Sequence, residues 1–96
     1  MKTDKIILDY SDISINIQAA TKLENILNTL DDNLEVIVDL TNAVYINSLG
    51  ISTLIKAAKH KKSMLIKIKS SSAIEISFNI LGLIGLKDVL NIEVVN

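Results

Sequence analysis

The segment Leu34-Glu35-Val36-Ile37-Val38-Asp39-Leu40 constrains the fold most. It is nearly unbroken apolar sequence, and stretches with a helical pattern lie on both sides of it. A strand that is apolar at consecutive positions belongs in the middle of a parallel sheet, where both faces are covered. Before it, Ala20, Leu23, Ile26, Leu27 and Leu30 share one helical face, with Lys22, Glu24, Asn25 and Asn28 opposite. Asp31-Asp32-Asn33 ends that helix. After it, Ile51, Leu54, Ile55 and Ala58 mark a second helix. That helix finishes in the run Lys59 to Lys62, where cations suit the negative end of the helix dipole.

The flanks extend the alternation. Lys5-Ile6-Ile7-Leu8-Asp9 reads as a short strand, Ser11-Asp12 as a turn, and Ile13, Ile15 and Ile17 alternate with Ser14 and Asn16 as in a half-buried strand. Met64 to Ile68 is a further strand. Ser72-Ala73-Ile74-Glu75 has the form of a capping box and opens a third helix, with Ile74, Phe78 and Leu81 inward and Gly82 or Gly85 at its end. Ile92 to Val95 is a last short strand. The predicted order is β-β-α-β-α-β-α-β: an α/β fold with a mixed, mainly parallel sheet, right-handed crossovers and an antiparallel β-β edge at the start. No internal repeat and no linker are visible, and residues 1–96 read as a single domain.

Composition excludes several classes. The chain has no cysteine, so disulfide scaffolds and cysteine-based zinc sites are ruled out. No apolar run approaches the ~18 residues of a membrane helix. The charged start Met1-Lys2-Thr3-Asp4-Lys5 does not read as a signal peptide, and a cytoplasmic location is expected. A net charge of −1 argues against general nucleic-acid binding. The charge is divided unevenly: three Lys against eight Asp or Glu in residues 1–48, and seven Lys against three in residues 49–96. Either neighbouring elements pair these charges, or the cluster Lys56, Lys59, His60, Lys61 and Lys62 meets an acidic partner.

Most catalytic chemistry is absent. His60 is the only histidine and sits in a lysine run, so it can neither form a His-pair metal site nor activate a nearby hydroxyl. Gly50, Gly82 and Gly85 form no phosphate-cradling loop. No metal, cofactor or catalytic group is expected. What remains is the turn Ile46-Asn47-Ser48-Leu49-Gly50 after the central strand. Asn47 and Ser48 are both good helix caps. A serine at a helix N-terminus is equally well placed to carry a phosphate, because free N–H groups and the dipole favour negative charge there. Leu49 and Ile51 beside it offer apolar contact.

The run Val36-Ile37-Val38-Asp39-Leu40-Thr41-Asn42-Ala43-Val44-Tyr45-Ile46-Asn47-Ser48-Leu49-Gly50-Ile51 resembles the core motif of the STAS domain. That family includes bacterial anti-sigma factor antagonists and the cytoplasmic domains of sulfate transporters. Its motif is an apolar strand ending in Asp-Leu-Ser/Thr, a short loop, and Asp-Ser-x-Gly-Leu opening a helix. Gln18-Ala19-Ala20-Thr21 resembles the family's Asp-Ala-Ala-Thr, and Gly85-Leu86-Lys87-Asp88-Val89-Leu90 resembles its Gly-Leu-x-x-Val/Ile run.

The resemblance implies a signalling protein rather than an enzyme. In the antagonist branch the serine after the motif Asp is phosphorylated, which here is Ser48. The partner would be an anti-sigma factor that is also a serine kinase, with a phosphatase resetting the switch. The contact surface would take in Asp39, Asn47, Ser48, Leu49, Gly50 and Ile51. The chain departs from the motif at Asn47, where the family has Asp, and at Leu49, where it often has a small residue. Its opening hairpin is shorter than usual, and it ends after the last strand, where many antagonists continue into a helix. Two alternatives stand beside this. One is a STAS scaffold or subunit of a larger complex, such as lipid-transport machinery, that is not phosphorylated. The other is a small-molecule binder or enzyme using the crevice at the carboxyl ends of the strands, near Asp39 and the Ser48 turn. The sequence leaves the oligomeric state open.

Overall fold

The computed structural model describes residues 5–85 and 90–96. The elements are β1 (Lys5–Asp9), β2 (Ser14–Ile15), α1 (Ile17–Thr29), β3 (Glu35–Leu40), β4 (Tyr45–Ile46), α2 (Ser48–His60), β5 (Ser63–Lys69), α3 (Ala73–Ile80) and β6 (Ile92–Val95). Four strands form one parallel sheet in the order β1-β3-β5-β6, and β2 and β4 form a second, two-stranded parallel ladder. The class is α/β, as the alternation of strand and helix patterns predicts. The resemblance to Gly85–Leu90 falls partly on residues 86–89, outside the described residues.

The opening of the chain corrects the sequence reading. β1 and β2 do not form an antiparallel hairpin. Asp9 Oδ1 accepts from the backbone N–H and the hydroxyl of Ser11, and Asp12 takes a left-handed φ of 60°. After this turn the chain leaves β1 instead of folding back along it. Asp12 N–H donates to Asn42, Val44 N–H to Ile13 and Asn47 N–H to Ile15, which lays β2 beside β4. The Ile13–Ile15–Ile17 alternation stops at Asn16. Its side chain accepts from Ala19 N–H and caps α1, so Ile17 is helical and exposed.

The helices lay their apolar residues on one face of the large sheet. Leu23 and Leu27 of α1, Leu54 of α2, and Ile74 and Phe78 of α3 share one buried cluster with Val36, Val38, Leu40, Ile66 and Ile68. The opposite face has odd-numbered residues: Ile7, Ile37 and Leu65 stand in register, with the row Asp9, Asp39, Lys67 and Glu93 beyond them. The end of α3 moves one expected core residue. Leu81 is exposed, and Leu83 is buried in its place. Gly82, at φ 69°, gives its N–H to Asn79 and Leu83 N–H reaches Phe78, the paired bonds of a Schellman stop. The capping box at Ser72 is present with one change: Ser72 Oγ accepts from Glu75 N–H, but Glu75 reaches back to Ser71 N–H.

The structure also contains a repeat that is not visible in the sequence. β1, turn, β2, Asn16 and α1 trace the same path as β3, turn, β4, Asn47 and α2. Asp39 Oδ1 accepts from Thr41 N–H and Oγ1 just as Asp9 does from Ser11. Both helices run for 13 residues. The two units lie side by side, so the starts of α1 and α2 are neighbours.

Candidate functional site

The start of α2 is set by three residues. Asn47 has extended backbone, and its Oδ1 accepts from Gly50 N–H at 2.8 Å, while its carbonyl takes the first helical bond from Ile51 at 3.1 Å. Asn47 is therefore the cap, and Ser48 is the first helical residue. The Ser48 side chain is exposed and is not the one that closes the turn. Gly50 is seated on the core. A Cβ there would lie 2.7 Å from Ile46 Cγ1 and 3.1 Å from Ile15 Cγ2, so only glycine lets the first turn of α2 rest on β2 and β4.

The predicted site residues separate into a surface and its support. Ser48 and Leu49 are exposed, Asn47 is half-buried, and Gly50 and Ile51 are buried. Asp39 belongs to the odd-numbered sheet face, in register with Asp9 and Lys67, and its Oδ1 accepts from the N–H and the hydroxyl of Thr41. The Thr41 hydroxyl and N–H beside Asp39 hold its carboxyl below the usual range, and Lys67 adds to this. Asp39 thus fixes the turn leaving β3.

Sequence reasoning missed most of the surface around Ser48. Ile17, Val44 and Tyr45 are 69%, 59% and 51% exposed, against 37% for Leu49. Tyr45 pairs with Ser14 in the β2–β4 ladder, and Ile17 follows Asn16 as Ser48 follows Asn47. Exposed apolar side chains from both repeat units therefore stand at the end of the fold where α1 and α2 begin. Exposed apolar side chains grouped at one end of a fold suit an interaction surface. The available signal was Asn16, which is a cap as good as Asn47.

The charge cluster at the end of α2 is divided by the fold. The Lys61 side chain is only 3% exposed, and its Nζ donates to Leu30 O at 2.7 Å and to Asp32 Oδ1 at 2.9 Å. This is the only ion pair among the described residues, and it joins the acidic half of the chain to the basic half. The bond from Lys61 keeps the Asp32 carboxyl below its ordinary range. Nearby, a groove of about 400 Å³ runs between α1 and α2 past Glu24, Asn28, Lys56 and His60. Thr53 also lines it, and its hydroxyl is buried without a hydrogen-bond partner. A second groove passes Tyr10, Ile13, Asn16 and Ile26. Neither groove is lined by Asp39 or Ser48.

Among the described residues no group of three or more His, Asp or Glu side chains is placed to hold a metal ion, and no helix is long and apolar enough to cross a membrane. No family model, curated protein or solved structure matches the chain. The arrangement at Ser48 is what remains to argue from: an exposed serine at the positive end of a helix, on a turn closed by Asn47, next to exposed Leu49.

Proposed function

We propose that the chain is a STAS-type anti-sigma factor antagonist that works by partner switching, with Ser48 as its phosphorylated residue. The observation that carries this reading is the division of labour at the turn. Asn47 closes the helix, which leaves the Ser48 hydroxyl exposed at the first helical position. In the proposed cycle, Leu49, Ile17, Val44 and Tyr45 dock on an anti-sigma factor that is also a serine kinase, and the sigma factor is released. The kinase then transfers the γ-phosphoryl group of ATP to Ser48 Oγ: the bond from the γ-phosphorus to the bridging oxygen breaks, ADP leaves, and the hydroxyl proton passes by way of the kinase to solvent. A phosphate brings roughly −2 charge into an apolar contact, and that repels the partner. A phosphatase restores the first state. The antagonist is substrate and competitor, not enzyme. Gly50 and Ile51 support the turn from below, and Asp39 fixes the loop that leads to it.

Incubation with a cognate kinase and ATP, followed by intact-mass measurement, tests the reading. The expected result is addition of one phosphate to the wild type and none to Ser48→Ala. A proven kinase partner that leaves the wild type unmodified overturns it.

A second reading follows from one feature. The first turn of α2 has no acidic residue, and its cap, Asn47, stands where the motif has Asp. In that reading the same surface serves a scaffold or a subunit of a larger assembly, with no phosphate involved. Partner binding that survives Ser48→Asp favours the scaffold, and binding that is lost favours the switch.

A further inference from the structure

Among the described residues β1 is an edge of the four-stranded sheet and is bonded to β3 on one side only. Native proteins usually protect such an edge with a bulge, a proline, charged side chains or a covering element. β1 has neither bulge nor proline: it is in unbroken register with β3 over all five residues, the chain contains no proline, and the charges of β1, Lys5 and Asp9, stand only at its two ends. Its cover is also incomplete. Ile6 and Leu8 point to the helix side yet are only half-buried, while their partners Val36 and Val38 are fully buried. On the other face Ile7 is 59% exposed, against 7% for its partner Ile37.

We infer that β1 pairs with β1 of a second copy of this chain, antiparallel about a two-fold axis that passes through the Ile7 pair. The segment Lys5-Ile6-Ile7-Leu8-Asp9 has opposite charges at its ends and three apolar residues between them. Centred on Ile7, an antiparallel pairing sets Lys5 of each copy against Asp9 of the other, Ile6 against Leu8, and Ile7 against itself. Cross-strand partners share a face, so each pair meets a side chain it suits. Both helix layers then lie on the same side of a continuous sheet of eight strands.

Two comparisons favour this pairing. A slip of one residue in the centre sets Lys5 or Asp9 against Ile7 and leaves residues unpaired. The other edge, β6, offers no equivalent match: registers that keep a common face put Glu93 against Glu93 or against Val95. Asp9 has a further reason to accept a cation. It stands beside Asp39 in the β1–β3 register, two carboxylates on adjacent strands, whereas Asp39 has Lys67 on its far side. Lys5 of the second copy supplies the missing cation on the open side of Asp9. A five-residue ladder falls short of the about 1,200 Å² at which stable interfaces begin, so the dimer is weak and forms only at high protein concentration.

Sedimentation velocity on the whole chain, from about 10 μM to about 1 mM, tests the inference. The wild type is expected to shift from monomer to dimer across that range. Lys5→Asp and Asp9→Lys each place like charges opposite one another and weaken dimerisation about tenfold. The equimolar mixture of these two variants recovers it, because each like-charged strand then meets one of the opposite sign. Asp9 also holds Ser11, so Ile7→Lys serves as a variant that leaves that turn intact, and it too is expected to dimerise more weakly than the wild type. A wild type that is monomeric at the highest concentration overturns the inference. So do variants that dimerise as the wild type does, or a mixture that stays monomeric.

Discussion

Gly50 and Ile46 are so close that a Cβ on Gly50 would lie 2.7 Å from Ile46 Cγ1. The near atom is not the flexible end of the side chain but the first carbon beyond Cβ, so relief requires Ile46 or the helix to move. Ala has about 1 kcal/mol over Gly in helix propensity, and overpacking a core costs about 1–3 kcal/mol. Gly50→Ala is expected to lower stability by a net of about 1 kcal/mol, read from the urea midpoint. In the double variant with Ile46→Ala the loss is smaller than the sum of the two single losses, because the clash is removed.

Asn47 separates capping from charge. Asn47→Ala leaves Gly50 N–H without its acceptor and is expected to cost about 1 kcal/mol. Asn47→Asp keeps the acceptor and adds a negative charge at the helix N-terminus, so stability is held or slightly raised. If Ser48 is a kinase substrate whose recognition uses the motif acid, Asn47→Asp also raises its rate of phosphorylation. Thermal unfolding reports the first effect and a timed kinase assay the second.

Lys61 joins the ends of the two repeat units, since its Nζ bonds Leu30 O at the close of α1 and its backbone N–H bonds Ala57 O at the close of α2. Carbonyls at a helix end have no partner inside the helix and need one from elsewhere. Lys61→Met keeps most of the buried stem but removes the charged donor. The expected loss is about 1–2 kcal/mol by chemical denaturation, most of it from the Leu30 carbonyl rather than from exposed Asp32.

These contacts show which parts of the chain are readable in advance. Asn47, Ser72 and Gly82 act within a few residues of themselves, so their side-chain chemistry announces a cap or a stop. The pairing of β2 with β4 has no such local signal: two residues carry no period, and their partners are 31 positions away. The repeat is hidden for a related reason. Asp9 and Asp39 are 30 apart but Asn16 and Asn47 are 31 apart, because the second unit has one extra residue between Thr41 and Tyr45, and Ile17 faces solvent where its counterpart is Ser48. Lys61 looks like one more surface lysine, and only the approach of Leu30 and Asp32 buries it. The turn at Ser48 could therefore be located from sequence, while the apolar surface around it depends on the tertiary pairing.

Two carboxylates make the fold sensitive to acid. The pKa of Asp39 is lowered by its bonds from Thr41, and that of Asp32 by its bond from Lys61. A folded-state pKa below the unfolded value of about 3.9 stabilises the fold above that pH, and the contribution is lost as pH falls through the folded value. The urea midpoint is expected to fall as pH is lowered from about 5 to about 3. Asp39→Asn keeps an oxygen to accept from Thr41 but cannot titrate, so its midpoint changes less over the same interval.

The switch proposed for Ser48 requires that the added charge leave the fold intact. Ser48 is exposed, is not the cap, and stands where the helix dipole is positive. An acidic side chain in such a first turn contributes about 0.3–1 kcal/mol of stability at low salt. Ser48→Glu is therefore expected to unfold at the same temperature as the wild type or slightly above it, and the small gain should fade as salt screens the dipole. Partner binding should respond in the opposite sense, because Leu49, Ile17 and Tyr45 would meet their target with a charge in their midst. A variant that keeps its thermal midpoint but loses its partner places the effect in the contact itself. A variant that loses both places it in the helix, and the switch as proposed fails.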